Sequence, residues 1–234
     1  MELIHIIAII ISFLLAMNIG ASNSAAEMAA AYGAGARTKK EAVTLIAIFA
    51  ILGAIISGGA VIKTLGSGLV PGKTFSETFA TVFIVIFVAT LFITFANYFK
   101  SPIATTHAIV CSIVGIGLYT GGLNTKKFLY IAAWWVLTPS VSFILNYLVG
   151  KYLYFRILHR LTTLGSEEKI NKLLSILITL SGCYVAFSAG SNNAANAVGA
   201  IVGADVISSS TGAIMAGLGM GLGAILVGGR ILDS

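Results

Sequence analysis

The sequence predicts an all-α polytopic membrane protein built from two repeats, and three observations carry this prediction. Of its 234 residues, 58% are hydrophobic and only 9% are charged, whereas a soluble domain carries about 25% charged residues. The apolar residues form runs long enough to cross a bilayer. A short polar motif recurs 170 positions apart inside two of these runs. Repeats that contain broken and re-entrant helices are typical of secondary transporters.

The repeated motif is rich in asparagine and lies in otherwise apolar sequence. Its first copy begins at Gly20 and its second at Gly190, and residues 52–59 match 222–229 in the same register. The shared register indicates an internal duplication. Because an unsatisfied amide in hydrocarbon costs several kcal/mol, both motifs are predicted to line a site or a protein interior.

The first transmembrane repeat is predicted to occupy residues 1–150. Residues 3–35 are more than the roughly 20 that one helix needs to cross a bilayer, so we predict a helix broken near Ser22 and Asn23. Residues 100–122 combine Pro102 with glycines at the far end, which predicts a short or re-entrant helix. Three further spans are predicted, at 42–62, 78–98 and 128–149.

The second repeat is expected to be incomplete in this chain. Residues 151–172 are the most charged part of the sequence and are predicted to be a cytoplasmic connector, after which 173–234 begin the second repeat. The counterpart of residues 101–107 would fall near position 271, beyond Ser234. We expect that the chain is truncated from a longer protein, and the alternative is that another subunit supplies the missing elements.

The distribution of basic residues predicts the orientation of the repeats. If residues 100–122 cross the membrane once, the first half makes five crossings, and its loops place nine basic residues on one side and four on the other. Cytoplasmic loops carry the excess of Lys and Arg, so the connector is cytoplasmic and the repeats are inverted. If residues 100–122 form a re-entrant hairpin, the bias weakens and the halves are parallel. We favour the inverted arrangement.

Polar side chains of the two motifs and of residues 101–107 are the candidate substrate-binding groups. Amides and hydroxyls donate hydrogen bonds without adding charge, and neither motif contains Lys or Arg, a composition that suits an oxyanion held by neutral donors. The alternative is that the asparagines only join helices and that the threonines cap one. The candidates are Ser22, Asn23, Ser24, Ser101, Thr105, Thr106, Asn192, Asn193 and Asn196.

Glu27 and His107 are the candidate ion-coupling residues. Glu27 is the one carboxylate within a predicted membrane segment, where ionisable residues are functional candidates by default. A buried carboxyl group can carry a proton near neutral pH. The alternatives are that Glu27 lies at a solvated boundary and that His107 is a structural histidine.

The two asparagine motifs and the segment Pro102-Ile103-Ala104-Thr105-Thr106-His107 resemble the inorganic phosphate transporter family. The signature of that family is Gly-x-Asn-Asp-x-x-Asn-Ala in each repeat, together with a Pro-x-Ser-Thr-Thr-His hairpin. The resemblance implies two inverted repeats with an oxyanion bound near the midplane. It also implies that the motif aspartates serve the coupling cation and that the hairpin hydroxyls contact the anion.

This chain departs from the family signature at the aspartates. Asn23 and Asn193 occupy those positions, Ala26 replaces one motif asparagine, and Asn196 retains the other. Residues 17–22 and the Ala-Val-Gly after Asn196 are similar to the sulfate permease branch of the family. Loss of both aspartates argues against sodium coupling. Sulfate carries no proton and needs only hydrogen-bond donors, whereas hydrogen phosphate also carries a hydroxyl group that binds an acceptor. The replacement of both aspartates by asparagine therefore favours sulfate.

We therefore expect a secondary active transporter of a tetrahedral oxyanion in the cell membrane, with sulfate favoured and a proton as the coupling ion. The alternatives are sodium- or proton-coupled phosphate transport and a passive anion channel. An enzyme is not expected because no catalytic motif supports one, and no cofactor is expected. Membrane lipid and a second copy of the chain are the other expected partners. The net charge of +6 is assigned to topology rather than to nucleic-acid binding.

Overall fold

The computed structural model describes residues 3–71, 79–99, 104–163 and 166–233, and every regular element within these ranges is helical. The helices of the first part are α1 (Leu3–Gly33), α2 (Lys39–Ser67), α3 (Phe79–Tyr98), α4 (Thr105–Thr120) and α5 (Thr125–Leu148). A π-helical turn (Val149–Leu153) joins α5 to α6 (Tyr154–Thr163). The chain ends with α7 (Glu167–Gly203), α8 (Ser209–Gly223), a second π-helical turn (Ala224–Gly228) and the single turn α9 (Gly229–Leu232).

Six helical stretches of the described residues are long and apolar enough to cross a bilayer. The predicted all-α polytopic fold is therefore confirmed. Helix α4 has 16 residues and rises only about 24 Å, which is less than the roughly 30 Å of the hydrocarbon core. The short helix expected within residues 100–122 is thus present. Pro102, on which part of that expectation rested, lies outside the described residues.

The break expected in the first helix is absent, so that prediction is wrong. Helix α1 is continuous from Leu3 to Gly33 and passes through Ser22 and Asn23 without interruption. Helix α7 likewise passes unbroken through the second motif. The alanines that surround both motifs favour helix, and a helix satisfies its own backbone groups within the membrane. The polar side chains are accommodated between helices and do not interrupt the backbone.

Helices α1, α2, α7 and α8 form the centre of the molecule. Helix α2 packs along α7, and α1 packs along α8. Helices α3 and α4 pack on the outside of this group, through contacts of α3 with α1 and of both helices with α7. Helix α5 lies at the periphery, because none of its residues from Thr125 to Leu148 is buried, although Phe128, Ile131 and Trp135 pack against the core. The connector predicted at residues 151–172 is largely helical, and α7 begins within it at Glu167.

Glycines bring the central helices into backbone contact, and they do so in matched pairs. A Cβ atom added at Gly53 of α2 would lie 2.0 Å from the carbonyl oxygen of Phe187 in α7. A Cβ atom added at Gly223 of α8 would lie 1.9 Å from the carbonyl oxygen of Met17 in α1. The two glycines are 170 positions apart, and so are the two carbonyl groups. The contact of α2 with α7 is therefore equivalent to the contact of α8 with α1, because in each pair a glycine of one repeat meets a carbonyl group of the other.

The two helices that carry the asparagine motifs run in opposite directions. The Cβ position of Gly182, early in α7, faces the Met28 side chain late in α1. Just beyond the end of α1, Arg37 Nε donates a hydrogen bond to Thr179 Oγ1, still earlier in α7, at 3.0 Å. Increasing residue numbers in α1 thus meet decreasing numbers in α7, so the duplicated helices α1 and α7 are antiparallel.

Replacing Gly53 with Ala is expected to destabilise the protein by about 1–3 kcal/mol, because the new Cβ overlaps the α7 backbone and forces the helices apart. Gly59→Ala is the matched control in the same helix, since its Cβ would meet nothing within 4 Å. This control should be neutral or stabilising, because alanine is the better helix former. Thermal unfolding of the purified protein measures the difference, and equal midpoints for the two variants would contradict the packing described here.

Candidate functional site

A cavity of about 290 Å³ lies between α1 and α7, where the two asparagine motifs face each other. Helix α1 contributes Asn23, Ala26 and Glu27 to its wall. These residues are three and four positions apart and so share one face of the helix. Helix α7 contributes Tyr184, Val185, Ser188, Ala189, Asn192 and Asn193. The duplicated segments therefore line one cavity together, with a wall from each.

Asn193 is held by two neighbours that lie behind the cavity wall. Its Oδ1 accepts a hydrogen bond from Asn196 Nδ2 at 2.9 Å and another from Thr106 Oγ1, in α4, at 3.4 Å. Asn196 Nδ2 also donates to Thr106 Oγ1 at 2.9 Å. These bonds use the oxygen of the Asn193 side chain. Its NH₂ group takes no part in them, and Asn193 lines the cavity, so this group is available as a donor.

The opposite wall presents a buried amide and a buried carboxyl group. Asn23 Nδ2 and Glu27 Oε2 are both buried and have no hydrogen-bond partner among the described residues. The Glu27 side chain, with the residue only 5% exposed, is the one acidic group in the cavity wall. A buried donor without a partner costs free energy. None of the nine wall residues is Lys or Arg, so any anion here is held by neutral donors.

Of the predicted substrate-binding residues, Asn23, Asn192 and Asn193 line the cavity, whereas Thr106 and Asn196 orient Asn193. Thr105 is buried at the start of α4. Ser22 and Ser24 lie on α1 but do not line the cavity. Ser24 Oγ donates to the Gly20 carbonyl group at 2.9 Å, which is a bond within the helix. Ser101 lies outside the described residues.

The two predicted ion-coupling residues are in different environments. Glu27 lies in the cavity wall. His107 is exposed at the start of α4, and its ring packs edge-on against Trp135 of α5, with the ring centres 4.0 Å apart. His107 is therefore not one of the residues that line the cavity.

Two polar residues of the cavity wall escaped the sequence analysis. Ser188 and Tyr184 precede Asn192 by four and eight positions, so all three lie along one face of α7. This helical spacing is a signal that could have identified Ser188. It was missed because the serine precedes the recognisable motif, and a lone serine in an apolar helix is commonly bonded to its own backbone.

The sequence profile described as the phosphate transporter family matches residues 19–234 of the chain. The chain belongs to the phosphate transporter family. The resemblance drawn from the asparagine motifs is thereby confirmed, and so is the assignment of the chain as a multi-pass protein of the cell membrane.

Relatives within the phosphate transporter family differ in the anion that they are named for. The sulfate permease CysP of Bacillus subtilis (strain 168) is 39% identical over 229 residues, covering 97% of this chain and 62% of the permease. A putative phosphate permease of Pyrococcus horikoshii is 33% identical over 171 residues, covering 70% of this chain and 41% of that protein. The chain thus spans about two fifths to three fifths of these relatives.

A solved structure titled the sodium-dependent phosphate transporter has a similar fold. The TM-score is 0.79 at 25% sequence identity, and the match covers 99% of this chain and 77% of that one. The relatives and the solved structure are named as permeases and transporters, which agrees with the expectation that this chain is no enzyme.

Proposed function

We propose that this chain is the part of a secondary active transporter that binds sulfate between α1 and α7. The observation that carries the proposal is the composition of the cavity wall, which offers amide and hydroxyl donors and a single carboxyl group. Asn23 and Asn193 stand at the positions where the family signature has aspartate. An asparagine there supplies an N–H donor, whereas an aspartate would supply only an acceptor.

Sulfate suits such a wall because all four of its oxygens are acceptors. Hydrogen phosphate at neutral pH keeps one hydroxyl group, which needs an acceptor of its own to avoid a buried, unpaired donor. The oxygen of Asn193 is already engaged by Asn196 and Thr106, so it is a poor acceptor for a further donor, and the acidic acceptor of the wall is the carboxyl group of Glu27. Phosphate remains the second candidate, and it is supported by the family description and by the names of other relatives.

The proton is the proposed coupling ion, and Glu27 its carrier. A charged Glu27 would repel a dianion in the same cavity, whereas a neutral Glu27 would not. Binding of sulfate is therefore linked to protonation of the Glu27 side chain, and sulfate and the proton cross the membrane together. Sodium is the alternative coupling ion, which the name of the solved phosphate transporter favours.

An inverted repeat is the proposed basis of alternating access. The matched contacts of Gly53 with Phe187 and of Gly223 with Met17, together with the antiparallel course of α1 and α7, support a twofold relation between the halves. In such an arrangement the site lies at the interface of the repeats, and rocking of one against the other exposes it to either side in turn.

Uptake into proteoliposomes under a pH gradient tests the proposed function. A proton-coupled carrier accumulates labelled sulfate above its external concentration when the gradient is imposed, and loses this accumulation when the gradient is dissipated. Downhill flux alone would assign a channel. Accumulation that requires sodium, or that is seen with phosphate and is absent with sulfate, would assign the alternative transporter and overturn the proposal.

Thr106→Val is expected to weaken sulfate binding roughly three- to tenfold, because the variant loses the hydroxyl that joins Asn193 and Asn196, and one neutral hydrogen bond contributes about 0.5–1.5 kcal/mol. Thr120→Val is the matched control on α4, since the Thr120 hydroxyl donates to the Ile116 carbonyl group of its own helix. The concentration dependence of sulfate uptake measures the effect. An equal loss of sulfate affinity in the two variants would show that Thr106 has no specific role in sulfate binding.

A further inference from the structure

A second cavity, of about 560 Å³, lies between the start of α2 and the early part of α7. It shares no wall residue with the cavity of the asparagine motifs. One end is polar and the other apolar, which distinguishes it from a site for a small inorganic ion. Its walls are formed by Arg37, Lys40, Glu41, Thr44, Leu45, Phe49, Thr179, Leu180 and Cys183.

The polar end carries two cations and one anion. Arg37 Nε donates to Thr179 Oγ1 at 3.0 Å, and Arg37 Nη1 lies 3.9 Å from Glu41 Oε1, beyond hydrogen-bond distance. Glu41 Oε2 accepts from the Thr38 amide group at 2.8 Å as part of the α2 cap. The Glu41 carboxylate is thus partly engaged by the cap of α2. The terminal nitrogens of Arg37 therefore have N–H groups that can donate to another acceptor.

Lys40 adds the second positive charge at this end. It is exposed and lines the cavity. The neighbouring Lys39 is in a different situation, because its Nζ is paired with Asp233. The net charge of the cavity wall is therefore positive, since Arg37 and Lys40 face only Glu41.

The apolar end is formed by side chains that lie further into the helices. Leu45 and Phe49 follow one another along one face of α2, and Leu180 and Cys183 come from α7. Leu180 is 58% exposed, so the cavity opens at the side of the helices, where a membrane protein meets acyl chains. A hydrated inorganic anion gains nothing from such a surface, whereas a hydrocarbon chain does.

We propose that this second cavity binds an anionic phospholipid, with the phosphate group on Arg37 and Lys40 and an acyl chain along Leu45, Phe49 and Leu180. Both helices are apolar and long enough to cross the bilayer, so their polar ends lie at the headgroup level. The loop before α2 belongs to the side predicted to be cytoplasmic, whose leaflet is rich in anionic lipid. An arginine with free N–H groups matches a phosphate.

Quenching by brominated lipids tests the site in the full chain. Leu180→Trp places a fluorophore on the exposed wall of the cavity, and the signal of the native Trp134 and Trp135 is subtracted with the unsubstituted protein. Bilayers then contain either brominated phosphatidylglycerol or brominated phosphatidylcholine. The expected result is an apparent affinity about fivefold higher for the anionic lipid, because one net cation at an anionic surface contributes about 1 kcal/mol.

The double variant Arg37→Gln/Lys40→Gln should abolish or reverse this preference, because Glu41 is then the one charged group among the wall residues. Lys151→Gln/Arg156→Gln is the matched control, since it removes the same two residue types from an exposed helical stretch outside the cavity. The control should keep the preference. If Arg37→Gln does not fold, Lys40→Gln alone, at an exposed position, should still lower the preference.

Three outcomes would overturn the proposal. The first is equal quenching by the two lipids in the protein with the native basic residues. The second is an equal fall in preference in the double variant and its control. The third is displacement of the anionic lipid by millimolar inorganic sulfate or phosphate, which would assign the cations to a free anion.

Discussion

Asn23→Asp and Asn193→Asp are expected to lower sulfate affinity by roughly a factor of five to a thousand. Each substitution replaces a neutral donor with a negative charge beside a dianion. At about 4 Å one such pair of charges costs about 1 kcal/mol in water and about 4 kcal/mol at an effective dielectric constant of 20, and about 1.4 kcal/mol is tenfold in affinity. The carboxylate at 193 would still accept from Asn196 and Thr106, so the surrounding structure is preserved.

Phosphate is expected to lose less than sulfate in these variants. Its hydroxyl group can donate to the new carboxylate, and that bond offsets part of the repulsion. The measurement is competition between sulfate and phosphate for uptake by the unsubstituted protein, by each single variant and by the double variant. If the aspartates bind sodium, as the family resemblance implies, phosphate uptake by the double variant should become dependent on sodium.

Asn146→Asp is the matched control for the added charge. Asn146 is exposed on α5, and its amide donates to the Ser142 carbonyl group at 2.8 Å. Its substitution should leave the competition unchanged. An unsubstituted protein that takes up phosphate and ignores sulfate would contradict the assignment, as would site variants whose preference stays the same.

Glu27→Gln is expected to abolish uphill uptake driven by a pH gradient while leaving exchange of sulfate for sulfate largely intact. Glutamine is uncharged and similar in size to a protonated glutamate, so the anion still binds. It has no proton to release, so accumulation is no longer linked to the gradient. Two assays on the same proteoliposomes separate the effects, namely net uptake under a gradient and exchange at equal pH.

Glu168→Gln is the control for Glu27→Gln, because Glu168 is exposed at the start of α7. It should retain both activities. Unchanged net uptake in Glu27→Gln would show that Glu27 has a structural role and does not carry the coupled proton. Loss of exchange together with net uptake would show that Glu27 acts in binding or folding and would contradict its role as the proton carrier.

The sequence by itself determined the membrane class, the helical fold and the two segments that line the cavity between α1 and α7. Apolar runs of this length have few stable conformations other than a transmembrane helix. The amides at 192, 193 and 196 could not face lipid without a large cost, and in the structure Asn196 is buried, Asn193 is half-buried and Asn192 is exposed in the cavity wall. The 170-residue offset linked the two motifs, and residues of both motifs line the same cavity.

Only the tertiary structure decided which polar groups face the cavity. Asn193 and Asn196 are three positions apart on one helix, yet the first lines the cavity and the second binds behind it to Thr106. His107 was predicted from the sequence to couple an ion, whereas in the structure its ring packs against Trp135. The local sequence determines which side chains are polar. The helix that provides the hydrogen-bond partner of each polar side chain can come from a distant part of the chain, so only the tertiary structure shows it.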